Sequence, residues 1–280
     1  MQGHFARPSI WAVTQPSSDN QRTLSAETAV SPDDLEHFRA TGWLLTETLD
    51  AHGLEQLRSW VDEIAQWPAG GDGWMHHYEL TDEGPKLCRS ENLIPFHEGL
   101  RELLTTGALI EVASALIGSP ASLYKEKVNY KLSGGAGYSP HQDAPAYPFI
   151  DSHVSCMVAI DDSTSDNGCL EVVSGHHQSV LLTDDSGCIA QEVVDSLEWD
   201  LVEVKAGQTL WFHSRTPHRS GANNSKVARR ALYPTYNALS EGDLRSEYYE
   251  HKLAEFAAGE GAEGRVRVSL IGDFQGRSVQ

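Results

Sequence analysis

From Ala121 to Tyr236 the chain is cut into short β-type runs by turns rich in Gly, Pro, Asn and Ser, and this texture leaves few folds open. The runs are SLYKEKVNYKL, YSPHQD, HVSCMVAI, CLEVV, WDLVEV, QTLWFH and RRALYPTY, with GGAG among the turns. Many short strands joined this way form a sandwich or barrel of the jelly-roll kind. Asn167-Gly168, between MVAIDD and CLEVV, predicts a tight hairpin.

Before Ala121 the pattern is helical. Ser31-Pro32-Asp33-Asp34 reads as a helix start, with Ser31 as cap, Pro32 first in the helix and acids in the first turn. Leu54, Leu57, Val61 and Ile64 make one apolar stripe of a helix over Leu54 to Trp67. Residues 68–96 read as an irregular, aromatic and Gly-rich connection of the length that serves as a lid or insertion. A single helix is expected from His97 to about Ile117, stopped by Gly118 and Pro120, and a last one over Glu241 to about Ala257. Residues 1–28 are polar and aperiodic and predict a disordered leader. The expected organisation is therefore mainly β with flanking α, one domain over 29–280: helical at 29–118, a jelly-roll core at 119–240, a C-terminal helix at 241–258.

Charge narrows the partners. With 40 acidic against 21 basic residues the formal net charge is −19, a poor match for nucleic acid or an anionic membrane. No apolar run approaches the roughly 18 residues of a membrane span, and no signal peptide is visible. The four cysteines, Cys88, Cys156, Cys169 and Cys188, lack metal-type or disulfide-scaffold spacing, which suits a soluble cytoplasmic protein. A small-molecule substrate is the expected partner, with further copies of the chain (a homo-oligomer) as the other.

The chemistry concentrates in SPHQDAPAYPF, residues 139–149. Its His141 and Asp143 are two apart, so on an extended strand they leave by one face, α-carbons roughly 6–7 Å apart. Both can then reach one divalent cation while Gln142 points away. A bare H-x-D is weak evidence in a chain with 13 histidines, and a third ligand is needed. GQTLWFHSRTPHRSGANNSKVARRALYPTY offers His213 and His218, the latter 75 positions after Asp143. Late jelly-roll strands pair beside early ones and would bring His218 back. Two His and one carboxylate leave about half an octahedral shell open, the arrangement of oxygen-activating non-heme Fe(II). Zinc hydrolysis is the competitor, but H-E-x-x-H is missing.

HQD followed by PHRSGANNSKVARRALY resembles the phytanoyl-CoA dioxygenase family of Fe(II)- and 2-oxoglutarate-dependent oxygenases. The family's second block, H-x-S-x-x-N-x-S with an arginine eleven residues after the histidine, is matched by His218, Ser220, Asn223, Ser225 and Arg229. The likeness continues through KVNYKLSGGAG and MVAIDDSTSDNGCLEVVSGHH, over about residues 85–250. It implies a double-stranded β-helix, Fe(II) on His141, Asp143 and His218, and 2-oxoglutarate held by Arg229 with help from Ser220, Asn129 and Lys127. It also implies O2 as oxidant, ascorbate as an aid in vitro, and hydroxylation of an unactivated C–H bond with release of succinate and carbon dioxide. Halogenases of this kind lack the carboxylate that Asp143 supplies, so hydroxylation is expected.

Within the family, the KEKVNYKL, HQDAPAY and YNALSEGD segments are similar to dioxygenases of 2-aminoethylphosphonate and its N-methylated relatives. A phosphonate would be held by Lys125, Lys127, Arg89 or Arg215, and a quaternary ammonium by a cage of Trp74, Tyr138, Tyr147 and Phe149. The ordinary alternatives are a solvated edge for the lysines and packing for the aromatics. Arg230 must face away from Arg229 and is expected in a structural ion pair; His213 is expected to pack or support. A tailoring hydroxylase of a secondary metabolite or amino-acid-like solute is the alternative activity, and a non-catalytic jelly-roll binder the alternative class.

Overall fold

The computed structural model describes residues 30–69, 73–81, 83–147, 149–151 and 153–259, so the leader expected at 1–28 lies outside the described residues. Ser31 caps α1 (Pro32–Thr41): its hydroxyl accepts from the Asp34 amide at 3.1 Å and the Asp34 carboxylate accepts back at 2.9 Å. After β1 (Trp43–Glu47), α2 (Ala51–Ile64) starts three residues earlier than its apolar stripe suggests, because Asp50 accepts from the Gly53 amide at 2.8 Å.

Residues 68–96 are not an irregular connection throughout. They contain a hairpin, β2 (Met75–Thr81) and β3 (Gly84–Glu91), at the edge of the larger sheet. One face of β3 carries the buried charges Arg89 and Glu91, so the usual apolar–polar alternation of a strand is missing. The helix expected over His97–Ile117 is two, α3 (Glu98–Thr105) and α4 (Ala108–Ile117). Gly107, at φ +67, takes a left-handed conformation that breaks the run.

Then follow β4 (Ala121–Lys131), β5 (Tyr138–His141), a 3-10 turn over Ala144–Ala146, β6 (His153–Ala159) and β7 (Leu170–Val172). The remainder is α5 (Gln191–Val194), β8 (Asp200–Val202), β9 (Gln208–His213), β10 (His218–Ser220), β11 (Arg229–Ala238), a second 3-10 turn (Leu239–Glu241) and α6 (Arg245–Gly259). Every pairing between named strands is antiparallel. The sheets run β1-β9-β6-β11-β4-β3-β2 and β5-β10-β7-β8, a jelly roll with helices packed on it.

Alternation along β6 divides the core. Val154, Cys156 and Val158 pack with Leu57, Val61, Leu104 and Val112 of the helices. Met157 and Ala159 pack with Leu170, Val172 and Phe212 between the sheets. Asn167-Gly168 does not close a hairpin, because β6 and β7 belong to different sheets. Gly168 (φ +71) instead turns under the other sheet, where a Cβ would stand 2.3 Å from the Gly221 carbonyl oxygen. No helix among the described residues is long and apolar enough to cross a membrane.

The C-terminal helix α6 is fastened through Glu126, a fully buried carboxylate on β4. It accepts from Arg245 at 2.7 Å and from the amides of Leu93 and Ile94 at 2.6 and 3.0 Å. Removing one partner of such a pair leaves a buried charge uncompensated, so Arg245→Ala should cost about 3–5 kcal/mol in denaturant unfolding, against under ~1 kcal/mol for the exposed Lys86→Ala.

Candidate active site

β10 lies between β5 and β7, with His218 directly opposite His141 on one side and Val172 on the other. Asp143 arrives differently from the expected strand alternation. β5 ends at His141, and Asp143 adopts φ −71 ψ −33 as it enters the 3-10 turn, which swings its carboxylate back toward both rings. Gln142 does point away, and its amide fastens the neighbouring loop by accepting from Leu181 N at 2.8 Å and donating to Ser179 O at 3.0 Å. His141 Nε2 and His218 Nε2 lie 4.0 and 3.9 Å from Asp143 Oδ1. These gaps exceed a hydrogen bond but not the sum of two metal–ligand bonds of about 2.1 Å each. The three ligand atoms all fall within 4.8 Å of one another.

The surrounding bonds suit a cation. His141 Nδ1 is 2.7 Å from Ser139 O, and His218 Nδ1 is 3.0 Å from Thr216 O. A carbonyl can only accept, so both Nδ1 atoms carry the proton and both Nε2 lone pairs face the shared space. Burial, with repulsion from His218, pushes His141 down to about 3, which leaves it neutral and able to ligate. Burial raises Asp143, but the nearby charges, Lys125 among them, and the Ser155 hydroxyl outweigh it and hold the carboxyl below its ordinary range. Ser155 donates to Asp143 Oδ2 at 2.5 Å. Two imidazoles and one carboxylate make a donor set that fits Fe(II).

Two adjoining cavities share Lys125, Lys127, Tyr138, His141 and Asp143, so the space runs continuously around the triad. The first is completed by Asn129, Ser155, Leu170, Phe212, His218, Tyr233 and Thr235. The second is completed by Arg89, Glu91, Ala146, Tyr147, Tyr248 and Lys252. Asn129 accepts from Arg89 Nε at 3.0 Å, and Tyr138 OH accepts from Arg89 Nη2 at 3.1 Å. Ser220 accepts from Lys131 Nζ at 3.1 Å. Arg229 is 3% exposed, donates to Ser163 Oγ at 2.9 Å, and keeps its buried Nε without a hydrogen-bond partner. It sits beyond the cavity lining, on the inward face of β11.

Two expected wall residues are elsewhere. Trp74 packs between Trp67 and Phe96, with ring centroids 5.0 and 5.1 Å away, in the helical layer. Phe149 is 42% exposed and meets the His251 ring at 5.4 Å. The 3-10 turn after Asp143 carries Tyr147 inward and leaves Phe149 outside. Arg215 also lines neither cavity. Arg230 pairs with Asp161 and Asp62 at 2.9 and 2.6 Å, as its opposite face requires. His213 packs on His177 at 5.3 Å.

Glu91, Ser155, Tyr248, Lys252 and Lys131 escaped the sequence reading. Ser155 had a signal, a hydroxyl at an inward position of an otherwise apolar strand. Lys252 had none, because nothing local says where α6 docks.

The profile of the phytanoyl-CoA dioxygenase (PhyH) family matches residues 38–231. A methylphosphonate hydroxylase of Gimesia maris is 46% identical over 256 residues, covering 90% of this chain and 98% of its own length. A 2-aminoethylphosphonate dioxygenase of an uncultured bacterium is 36% identical over 207 residues, covering 72% and 79%. In fold, EctD from S. alaskensis, solved with 2-oxoglutarate and 5-hydroxyectoine, superposes at TM-score 0.68 with 20% identity over 81% of this chain and 87% of its own.

The Ser155 bond orients Asp143, so Ser155→Ala should weaken Fe(II) or Co(II) binding by about 10–100-fold in calorimetric titration, and His218→Ala should lose more.

Proposed function

The chain belongs to the phytanoyl-CoA dioxygenase family and is an iron- and 2-oxoglutarate-dependent oxygenase of a small molecule, and from that premise we propose that the C–H bond it oxidises belongs to a small phosphonate. His141, Asp143 and His218 would hold the iron. Arg229 would take the far carboxylate of 2-oxoglutarate, with Ser220 and Asn129 beside it; its unpartnered Nε and rigid fork suit a dicarboxylate. Iron with this keto acid supplies oxidative decarboxylation to succinate and carbon dioxide, coupled to insertion of one atom of dioxygen into the C–H bond. The apolar walls from Leu170 and Phe212 keep water from the reacting face.

The observation that carries the phosphonate reading is a pair of buried lysine amines. Lys125 and Lys127 leave alternate positions of β4 into the cavity beside the triad, and neither makes a hydrogen bond or ion pair among the described residues. Lys125 lies over the Tyr147 ring at 4.3 Å, Lys127 over Tyr233 at 5.6 Å. Burial pushes Lys125 down to about 8, and Lys127 well below its ordinary value. Lys127 keeps part of its surface, but that surface faces the cavity, where its charge is poorly hydrated. Two buried amines with no direct ion pair of their own are costly to keep charged, and a dianionic ligand between them would favour their charged forms. The names of the two relatives above, both phosphonate oxygenases, support the same chemistry. We place the enzyme in the cytoplasm, in keeping with four buried free thiols.

Succinate release from 2-oxoglutarate, Fe(II) and ascorbate should rise on adding methylphosphonate or another small alkylphosphonate, and 31P spectra should show the α-hydroxylated product. A response to amino acids or carboxylates with none to any phosphonate would overturn the reading. Charge-assisted hydrogen bonds are worth about 1.5–3 kcal/mol, so Lys125→Met should lower kcat/KM for the phosphonate by roughly 10–150-fold and change KM for 2-oxoglutarate far less.

A further inference from the structure

Resting on the phosphonate reading, we infer that the substrate's carbon arm carries no positive charge: the cavity is arranged to refuse an ammonium group, and the ion pair between Lys252 and Glu91 is the specificity-determining contact.

An ammonium arm needs a carboxylate or an open aromatic face. Among the described residues the two cavities are lined by two carboxylates, Asp143 and Glu91. Asp143 is committed to the triad and to Ser155. Glu91 is 1% exposed and already surrounded. Its Oε2 pairs with Lys252, and its Oε1 lies 3.4 Å from Arg89 Nη1 and 3.5 Å from His77 Nε2. A ligand amine would have to displace Lys252 to reach it.

The aromatic faces are taken in the same way. Four tyrosines line the space, and each has a protein cation over its ring. Lys125 covers Tyr147 at 4.3 Å, and Lys127 covers Tyr233 at 5.6 Å. Lys252 covers Tyr248 at 5.8 Å, and Arg89 covers Tyr138 at 5.9 Å. A quaternary ammonium would have to share each of these rings with a basic side chain of the wall.

Charge points the same way. Arg89, Lys125 and Lys252 face only two carboxylates, with the Lys127 amine beside them, so the wall carries more basic than acidic groups. That excess favours the phosphonate dianion and repels a cation attached to it. Lys252 is the one member supplied by α6, and it converts Glu91 from an ammonium acceptor into an internal counter-ion. The chemical class that fits is an alkylphosphonate without an amine.

The test compares isosteres in the Fe(II)-loaded enzyme with saturating 2-oxoglutarate: propylphosphonate, whose arm ends in methyl, and 2-aminoethylphosphonate, whose arm ends in ammonium. Like-charge juxtaposition should make kcat/KM, by succinate and 31P product, at least about 100-fold higher for propylphosphonate. Equal or faster turnover of 2-aminoethylphosphonate would overturn the inference and leave the phosphonate reading standing. Turnover of neither, nor of methylphosphonate, would overturn both. In Lys252→Met, the ratio of the two substrates measured in one preparation should narrow by about 10-fold, because Glu91 is released toward the cavity. An active Lys252→Met enzyme with the wild-type ratio would remove the ion pair from its assigned role. If that variant does not fold, Lys252→Gln, which keeps a hydrogen-bond donor beside Glu91, is measured in its place, with the same narrowing expected and the wild-type ratio again overturning the assignment.

Discussion

β5 and β10 are four and three residues long, and their antiparallel pairing sets His218 against His141. A one-residue slip would turn His218 to the opposite face and dissolve the triad. Strands this short cannot hold their register alone, so it is imposed from outside. β7 pairs with β10 on its other side, and Thr216 Oγ1 donates to Gly42 O at 2.7 Å just before His218. Just after it, Asn223 donates to Lys131 O and Val227 O at 3.0 and 2.9 Å, and its Oδ1 accepts from Ser225 Oγ at 2.7 Å. The Asn and Ser of the second motif block thus act as turn chemistry that aims the histidine. At Gly137 a Cβ would stand 2.0 Å from Ser220 O, so the two short strands approach at a distance only glycine permits.

β4 couples this centre to the rest of the molecule by having two unlike faces. Lys125, Lys127 and Asn129 line the cavity; Val128 and Tyr130 pack in the helical core, and Glu126 takes the end of α6. Alternation thereby carries a polar site and an apolar core on one strand without conflict. The cationic wall is tolerated because each charge has a use for its neighbours: Arg89 braces Asn129 and Tyr138, and Lys252 balances Glu91. Lys125 and Lys127 line the cavity with no hydrogen bond or ion pair among the described residues. A site with this charge distribution pays in stability when empty and recovers it on binding.

α6 reaches the cavity from a distant part of the chain. Arg245 and Tyr249 tie its first turns to Glu126, while Tyr248 and Lys252 face the ligand space. Docking of the helix and lining of the ligand space are therefore carried by adjacent residues of α6.

The jelly roll, the flanking helices and the grouping of His141, Asp143 and His218 were legible in the chain because each has a local signature: period-two runs, Ser31 with its capping box, and a motif of fixed spacing. Other features depend on what lies across the fold. The β2–β3 hairpin was hidden because the inward face of β3 is charged rather than apolar. Asp143 reaches the triad through a turn where alternation had predicted a strand, and that turn sends Tyr147 in and Phe149 out. Trp74 looked like a wall but belongs to the helical layer. The sequence by itself determined which side chains could bind a metal and an anion, since their chemistry is intrinsic. Only tertiary packing decided which charges are already paired and which remain for a ligand, because pairing depends on distances between segments far apart in the chain.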